Sequence, residues 1–427
     1  MARAEGAGVT RAHAWLIAVV ATLAMSVSYI DRQVVAAIGA SVRKGLGIDA
    51  TRFGILAATF SLSYLVAAPL AGAMVDRIGA RRGLLTSVLV WSAVSASHAL
   101  VPSFAALVVL RVALGAAEAP SFPAAAQSVR RALPEGDRSA AFGLLFTGSS
   151  LGAAVAAPLA IALDLAYGWR SAFVIASLVG LSWLPVWILV TRSPRVRALL
   201  AGLPAAAAPA APRNAPGLRL GLDPAVLRAM ILVVASAPGL MFVWVWMPQY
   251  LELGRGLAKA SLPQYVWLPS VGADLGMVGF GLLASLIDRR AGLARRGAPS
   301  YGPLVLIAAA LEATLALLPL VPGTWAAVGL MAVASAGGGG LYTLATSEMM
   351  ARVDPAKVAM AGGLTAAAQS LVYVVLNPIV GRWIDASRSF DGSIVMLGAF
   401  ALPGAIVWTA WTPAGPRGEG MAGADRR

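Results

Sequence analysis

Apolar stretches long enough to cross a bilayer recur along almost the whole 427-residue chain, near 13–42, 54–75, 83–103, 105–129, 140–164, 171–191, 225–251, 262–287, 302–320, 325–350, 358–384 and 393–412. Hydrocarbon about 30 Å thick takes roughly 20 apolar residues as helix. Such spans must be helices, because each backbone N–H and C=O needs a partner within the segment and the alternation of a barrel strand is absent. Composition agrees, with 59% of residues hydrophobic and 12% charged, against roughly 25% charged in a soluble domain. The expectation is an all-α membrane protein of twelve transmembrane helices. The first window is longer than the apolar core of a secretory signal, and no small-residue cleavage site follows it, so it reads as a permanent span.

The formal net charge of +14 is not a nucleic-acid signal here, because the basic residues lie in short clusters between apolar windows, with no soluble module to present them. Lys and Arg accumulate in cytoplasmic loops. Every second connection is arginine-rich: Arg77, Arg81 and Arg82; Arg130, Arg131 and Arg138; Arg192, Arg195, Arg197, Arg213 and Arg219; and Arg289, Arg290, Arg295 and Arg296. That pattern puts both termini on the cytoplasmic side of an inner (plasma) membrane, although Arg43, Lys44 and Arg52 fall on the other side. The Ala- and Pro-rich stretch from Ala201 to Pro216 reads as a flexible bridge and divides the spans six and six. Asp76-Arg77 followed by Arg81-Arg82 recurs as Asp288-Arg289 followed by Arg295-Arg296. Two pseudo-symmetric six-helix bundles are implied, over 1–192 and 223–427, joined by a cytoplasmic linker at 193–222.

Enzyme chemistry finds little to work with. There is no cysteine and there are two separated histidines, His13 and His98, each read as an interfacial or packing residue. No nucleophile–histidine set, metal cluster or nucleotide loop is visible, so neither a cofactor nor a metal is expected. The run Gly337 to Gly340 lacks the Lys-Ser/Thr of a phosphate loop and reads as close helix packing or a hinge.

Charges inside spans are the informative exception, since each costs on the order of 3 kcal/mol near the bilayer centre by insertion scales. The first span holds Tyr29-Ile30-Asp31-Arg32. Neighbours on a helix project about 100° apart, so Asp31 and Arg32 point differently, whereas Tyr29 and Arg32 share a face. They either line a cavity or sit near a helix end and snorkel to water. The fourth span holds Arg111 and Glu118, seven residues apart on one face, then Pro120 and Pro123. That pair either flanks a cavity or makes a structural ion pair with another helix. The prolines permit a bend. After the second span comes Gly72-Ala-Met-Val-Asp76-Arg77-Ile-Gly79-Ala-Arg81-Arg82, where glycine allows close helix approach and a carboxylate can latch a neighbouring helix end.

That loop resembles the signature of the major facilitator superfamily. The charged sets resemble its anion:cation symporter family, the sugar-acid permeases, together with Ser149-Ser150-Leu151-Gly152-Ala153, Gly168-Trp169-Arg170-Ser171-Ala172-Phe173, Trp246-Met247-Pro248-Gln249-Tyr250-Leu251 and Val380-Gly381-Arg382-Trp383-Ile384-Asp385. Leu268-Pro269 and Ala273-Asp274-Leu275-Gly276 look most like the hexuronate permease branch. The resemblance implies that Asp31 and Glu118 exchange the proton and that Arg32, with Arg111 nearby, binds the substrate carboxylate. Tyr29, Tyr64 and Ser149 would face the substrate, and Gly72, Asp76, Arg77, Gly79, Arg81 and Arg82 would form the gating loop. Ser149 and Ala366 stand where relatives carry amides, which implies a less polar pocket. Asp274 is a gating or ligand carboxylate. The expected function is import of a small organic carboxylate by proton (or sodium) symport, by a monomer in a lipid bilayer. Efflux of an amphipathic or lipid-like compound is the alternative, and a flux-free sensor a third reading.

Overall fold

The computed structural model describes residues 9–201, 220–293, 301–353 and 358–411. Among them there is no strand, and twelve helices are long and apolar enough to cross a membrane. These are α1 (Arg11–Ala37), α2 (Ala50–Ile78), α3 (Ala80–Leu100), α4 (Phe104–Ala132), α5 (Ala140–Tyr167) and α6 (Trp169–Val190), followed by α7 (Pro224–Gly254), α8 (Lys259–Ile287), α9 (Gly302–Leu320), α10 (Thr324–Met350), α11 (Met360–Ser387) and α12 (Asp391–Ala410). Of the Asp288–Arg296 repeat of the signature, residues 288–293 are described in their backbone alone, and Arg295 and Arg296, like the bridge over 202–219, lie outside the described residues.

Local sequence explains where the helices begin and turn. Thr10, Asp49, Ser103 and Asp223 cap α1, α2, α4 and α7 with side-chain oxygens that accept from backbone amides one turn in or less, satisfying donors a helix start leaves free. Gly79 and Gly168 are one-residue joints between α2 and α3 and between α5 and α6, with φ of 86° and 83°, a region an L side chain enters only with strain. The first span is shorter than its hydropathy window: α1 breaks at Ile38, and a short helix, Gly39–Leu46, follows. In α4 the α-helix stops at Glu118 and restarts at Ser121, where Pro120 removes a donor. The helix α7 carries two π-helical segments, Phe242–Trp246 and Tyr250–Gly254, after Pro238 and around Pro248.

In the first bundle α1 packs on α4, α5 and α6; in the second α10 packs on α7, α8 and α9. One buried apolar cluster, including Ile17, Trp91 and Trp187, lies wholly in the first bundle. Another, including Leu232, Val305 and Trp408, lies in the second. A third joins Phe53 and Trp169 of the first bundle to Trp246 and Val380 of the second.

That third cluster sits at the end of the molecule away from the Asp76–Arg82 loop, and the bundles are also tied there by polar contacts. Asp385, late in α11, accepts from the backbone amides of Ala50 (3.0 Å) and Thr51 (2.8 Å) and from the Thr51 hydroxyl (2.6 Å), so it caps α2 from the other bundle. Lys259 binds Asp164 and Ser41, and Arg43 donates to Gln249 (3.1 Å). Arg52 lies over the Phe104 ring. Arg43 and Arg52, basic residues on the side the charge pattern disfavours, thus have packing partners there. At this end a Cβ on Gly54 would lie 2.2 Å from the Asn377 carbonyl oxygen, and one on Gly381 2.3 Å from that of Ala50. Gly72 near the far end of α2, and Gly362 and Gly363 at the start of α11, face open space instead. The two helices therefore meet at one end and part at the loop end.

Candidate functional site

A cavity of about 290 Å³ lies between the bundles. Tyr29, Arg32 and Gln33 of α1, Phe60, Ser61 and Tyr64 of α2, and Arg111 of α4 form one wall. The opposite wall comes from Trp244 and Val245 in the first π segment of α7, from Tyr342 of α10 and from α11. Its floor, toward the closed end, is a layer shared by the bundles: Phe53 meets Trp246 edge-on at 5.3 Å, and the Trp246 indole N–H donates to Asn377 Oδ1 at 2.9 Å.

The guanidinium of Arg32 is the centre of the polar wall. Its Nη2 and Nε donate to Glu118 Oε2 at 3.0 and 3.3 Å, and the Ser28 hydroxyl donates to the same oxygen at 3.0 Å. Three rings surround it, those of Tyr29, Phe60 and Tyr64, at 4.7, 5.1 and 4.8 Å from the guanidinium carbon. Cation–π contacts of this kind are worth roughly 0.5–2 kcal/mol each and hold the flat group in place. Arg32 keeps 22% of its side-chain surface while Glu118 keeps none. The acid sits behind the arginine and the arginine faces the cavity.

Arg111 also lines the cavity, 3% exposed, beside the Phe60 ring, and its Nε and Nη1 have no hydrogen-bond partner. A buried guanidinium with unmet donors has the chemistry to pair with an anion. Asp31 points elsewhere, as the helical rotation requires: it is 1% exposed, its Oδ1 accepts from Ser95 of α3 at 2.7 Å, and its Oδ2 is unpartnered.

Three sequence expectations need correction. Glu118 and Arg111 share a helix face, but Glu118 does not line the cavity, because Arg32 lies between. Ser149 does not line it either. Gly148 and Gly152 press α5 against Thr22 and Ser26 of α1, and that rotation aims the adjacent Ser150 at Asp274 of α8, which accepts its hydroxyl at 2.7 Å. Asp274 thus joins α5 to α8 across the two bundles. Nor is the pocket poor in polar groups. Ala366 does line it, but Gln369, Ser370, Tyr373 and Asn377 follow on the same face of α11. Their helical spacing in an otherwise apolar span was the signal available in the sequence. Phe60, one turn from Tyr64, was equally legible.

In the signature loop, Asp76 accepts from Gln127 of α4 at 2.7 Å, the latch expected of that carboxylate. Arg81 donates to Thr191 at 2.9 Å, and its carbonyl accepts from the Trp187 indole at 3.2 Å. Arg77 and Arg82 are exposed. No helix approaches Gly72 closely, contrary to expectation, because α2 and α11 have parted at that level. The run Gly337 to Gly340 packs backbone to backbone on α9 and α8, with a Cβ on Gly337 2.4 Å from the Ala308 oxygen and one on Gly339 2.4 Å from that of Ala273.

The sequence pattern of the Major Facilitator Superfamily matches residues 21–311. A hexuronate transporter of Escherichia coli (strain K12) is 27% identical over 416 residues, 92% of this chain and 93% of that protein. A hexuronate transporter of Bacillus subtilis (strain 168) is 25% identical over 390 residues, 89% of this chain and 90% of that one. Among solved structures, a bacterial homologue of the human lysosomal transporter Spinster, in an inward-facing and unoccupied conformation, superposes with a TM-score of 0.77 at 18% identity, covering 95% of this chain and all of that one. That likeness is one of fold.

Proposed function

The chain belongs to the Major Facilitator Superfamily, a multi-pass family of transporters and not of enzymes, and from that premise we propose that it imports a small organic carboxylate, a sugar acid or another organic acid, by proton symport with alternating access. The observation that carries this reading is the Arg32 guanidinium, which is exposed to the cavity on one side and bound to a fully buried carboxylate on the other. Relatives named hexuronate transporters, alike over nine-tenths of the chain, support the substrate class. So does the wall of Gln369, Ser370 and Tyr373, which offers hydroxyl partners opposite the arginines. The cavity volume lies near the lower limit of ligand pockets, roughly 300–1,000 Å³, and suits a small cargo. An amphipathic or lipid-like compound would meet two guanidinium groups in that space, which speaks against the efflux alternative.

Coupling follows from competition for one cation. A substrate carboxylate that takes Arg32, bidentately as a planar fork allows, draws it from Glu118. Leaving a buried charge unpaired costs about 3–5 kcal/mol, so Glu118 takes a proton as the substrate binds. When the proton leaves, Glu118 reclaims Arg32 and the anion is released. Asp31, buried behind α3 with one free oxygen, is the second proton acceptor. Alternating access exchanges the closed end, with its Asp385, Lys259 and Arg43 ties, for closure at the loop end through Asp76 and its arginines. In this reading residues 1–192 and 223–427 rock as two bundles about the linker 193–222, the arginine-rich loop end faces the cytoplasm of an inner-membrane protein with both termini inside, and the monomer suffices.

A thermal-shift series on purified protein tests the substrate class. A ligand at a hundred times its Kd adds about 2.7 kcal/mol of stability. Hexuronates and aldonates should raise Tm, their neutral sugar counterparts should not, and Arg32→Ala should abolish the shift. Equal shifts from neutral sugars, or from a long-chain amphiphile, would speak against the proposal.

A further inference from the structure

A further buried acid lies in the other bundle, outside the site described above. Glu312 of α9 is 1% exposed, and neither of its carboxyl oxygens has a hydrogen bond of ordinary geometry. The backbone amide of Gly239 in α7 is near enough to interact with it. Glycines from two other helices make its room. A Cβ on Gly239 would lie 2.5 Å from Oε1, one on Gly338 3.3 Å from the same atom, and one on Gly337 2.4 Å from the Glu312 backbone nitrogen. Gly239 and Gly338 thus leave room for a carboxyl that has the Gly239 amide near it and no hydrogen bond of ordinary geometry, where a leucine would fill the space at no polar cost.

The charged and titratable groups on the helices packed around α9 do not neutralise it. Arg228 of α7 binds Glu348 of α10, which also binds Arg352. On α12 the sole ionisable residue, Asp391, starts the helix and is exposed. Tyr250 and Glu252 stand in the second π segment of α7, and Arg255 just beyond it binds the Tyr250 hydroxyl and the Leu318 carbonyl near the end of α9; Tyr342 of α10 and Tyr373 of α11 remain. Tyr373 stands on the α11 face that also carries Gln369 and Asn377. It lines the cavity, and its buried hydroxyl has no partner. Gly239 stands three residues before the π segment whose Trp244 and Val245 form the cavity wall, and π segments inside α-helices are frequent at functional sites.

We propose that Glu312 is a second proton-exchange site, in the bundle opposite Asp31 and Glu118, which bears on α7 just before its π segment. A carboxyl with no cation beside it is buried as the neutral acid. In exchange its O–H bond breaks, the proton passes to water in the cavity, and the carboxylate is left facing the Gly239 amide. The inference does not depend on which acid is carried.

Infrared pH titration of the purified full-length protein, without substrate, reads this directly through the C=O stretch of protonated carboxylic acids. Wild type should show a titrating component that is lost in Glu312→Gln and kept in Asp31→Asn and Glu118→Gln. Gly239→Ala, which leaves the acid in place and crowds it, should shift the midpoint of that component, and so serves if Glu312→Gln fails to fold. A component that stays protonated over the whole range in which the protein is folded would make Glu312 a fixed structural acid and overturn the proposal. So would an unchanged titration in Glu312→Gln or an unmoved midpoint in Gly239→Ala. Because no substrate is present, this result is independent of the thermal-shift series.

Discussion

Between Glu118 behind it and the cavity in front, Arg32 is placed to serve one of two anions at a time. Its planar fork and its three aromatic neighbours make lysine a poor replacement, since an ammonium cannot grip a carboxylate bidentately. Arg32→Lys should lose about one charged hydrogen bond, roughly 1.5–3 kcal/mol, and so weaken carboxylate binding by about 10- to 100-fold in a calorimetric titration. Ser149→Ala should leave binding unchanged, because the side chain is off the cavity wall; a weakening as large as that of Arg32→Lys would restore the role first expected of it. At this scale the sequence was a good guide to the charged residues, whose cost in a bilayer makes them conspicuous. It was a poor guide to Ser149, whose direction depends on the rotation of α5 against α1, and to Glu312, an acid in a span with no motif around it.

Helix ends and helix crossings carry the conformational part. All twelve spans were legible from hydropathy, because lipid imposes one length and one secondary structure. The break at Ile38 and the π segments of α7 were not, since they depend on how α7 and the short helix after α1 pack at the closed end. There, α2 and α11 touch backbone to backbone at Gly54 and Gly381. A valine at either position cannot fit while this end is shut, so Gly54→Val and Gly381→Val should shift the population toward the conformer closed at the loop end. The chain has no native cysteine, so single cysteines placed on the cavity floor and at the loop end report this by labelling without background. The segment just before α5 offers a pH readout. Arg11 donates to both oxygens of Asp137 at 2.8 and 2.7 Å, and this hydrogen bonding holds the carboxyl below its usual range. The tie is present at neutral pH and is lost as pH falls through that lowered value. The protection of the amides leading into α5, taken relative to the intrinsic exchange rate at each pH, should fall on acidification, and should already be reduced at neutral pH in Arg11→Gln.

Across the whole molecule, two bundles are joined at one end by Asp385, Lys259 and Arg43, joined midway by Ser150 and Asp274, and parted at the loop end, with the Arg32 and Glu118 pair at the cavity between. The central claim is that substrate and proton meet at that pair. The most direct test is D-glucuronate transport in proteoliposomes by wild type and Glu118→Gln, measured both as exchange without a gradient and as accumulation under an inward proton gradient. Glu118→Gln keeps the shape of the site and removes the titrating group, so it should retain exchange and lose gradient-driven accumulation. Accumulation at the wild-type level in Glu118→Gln, under the same gradient, would contradict the account.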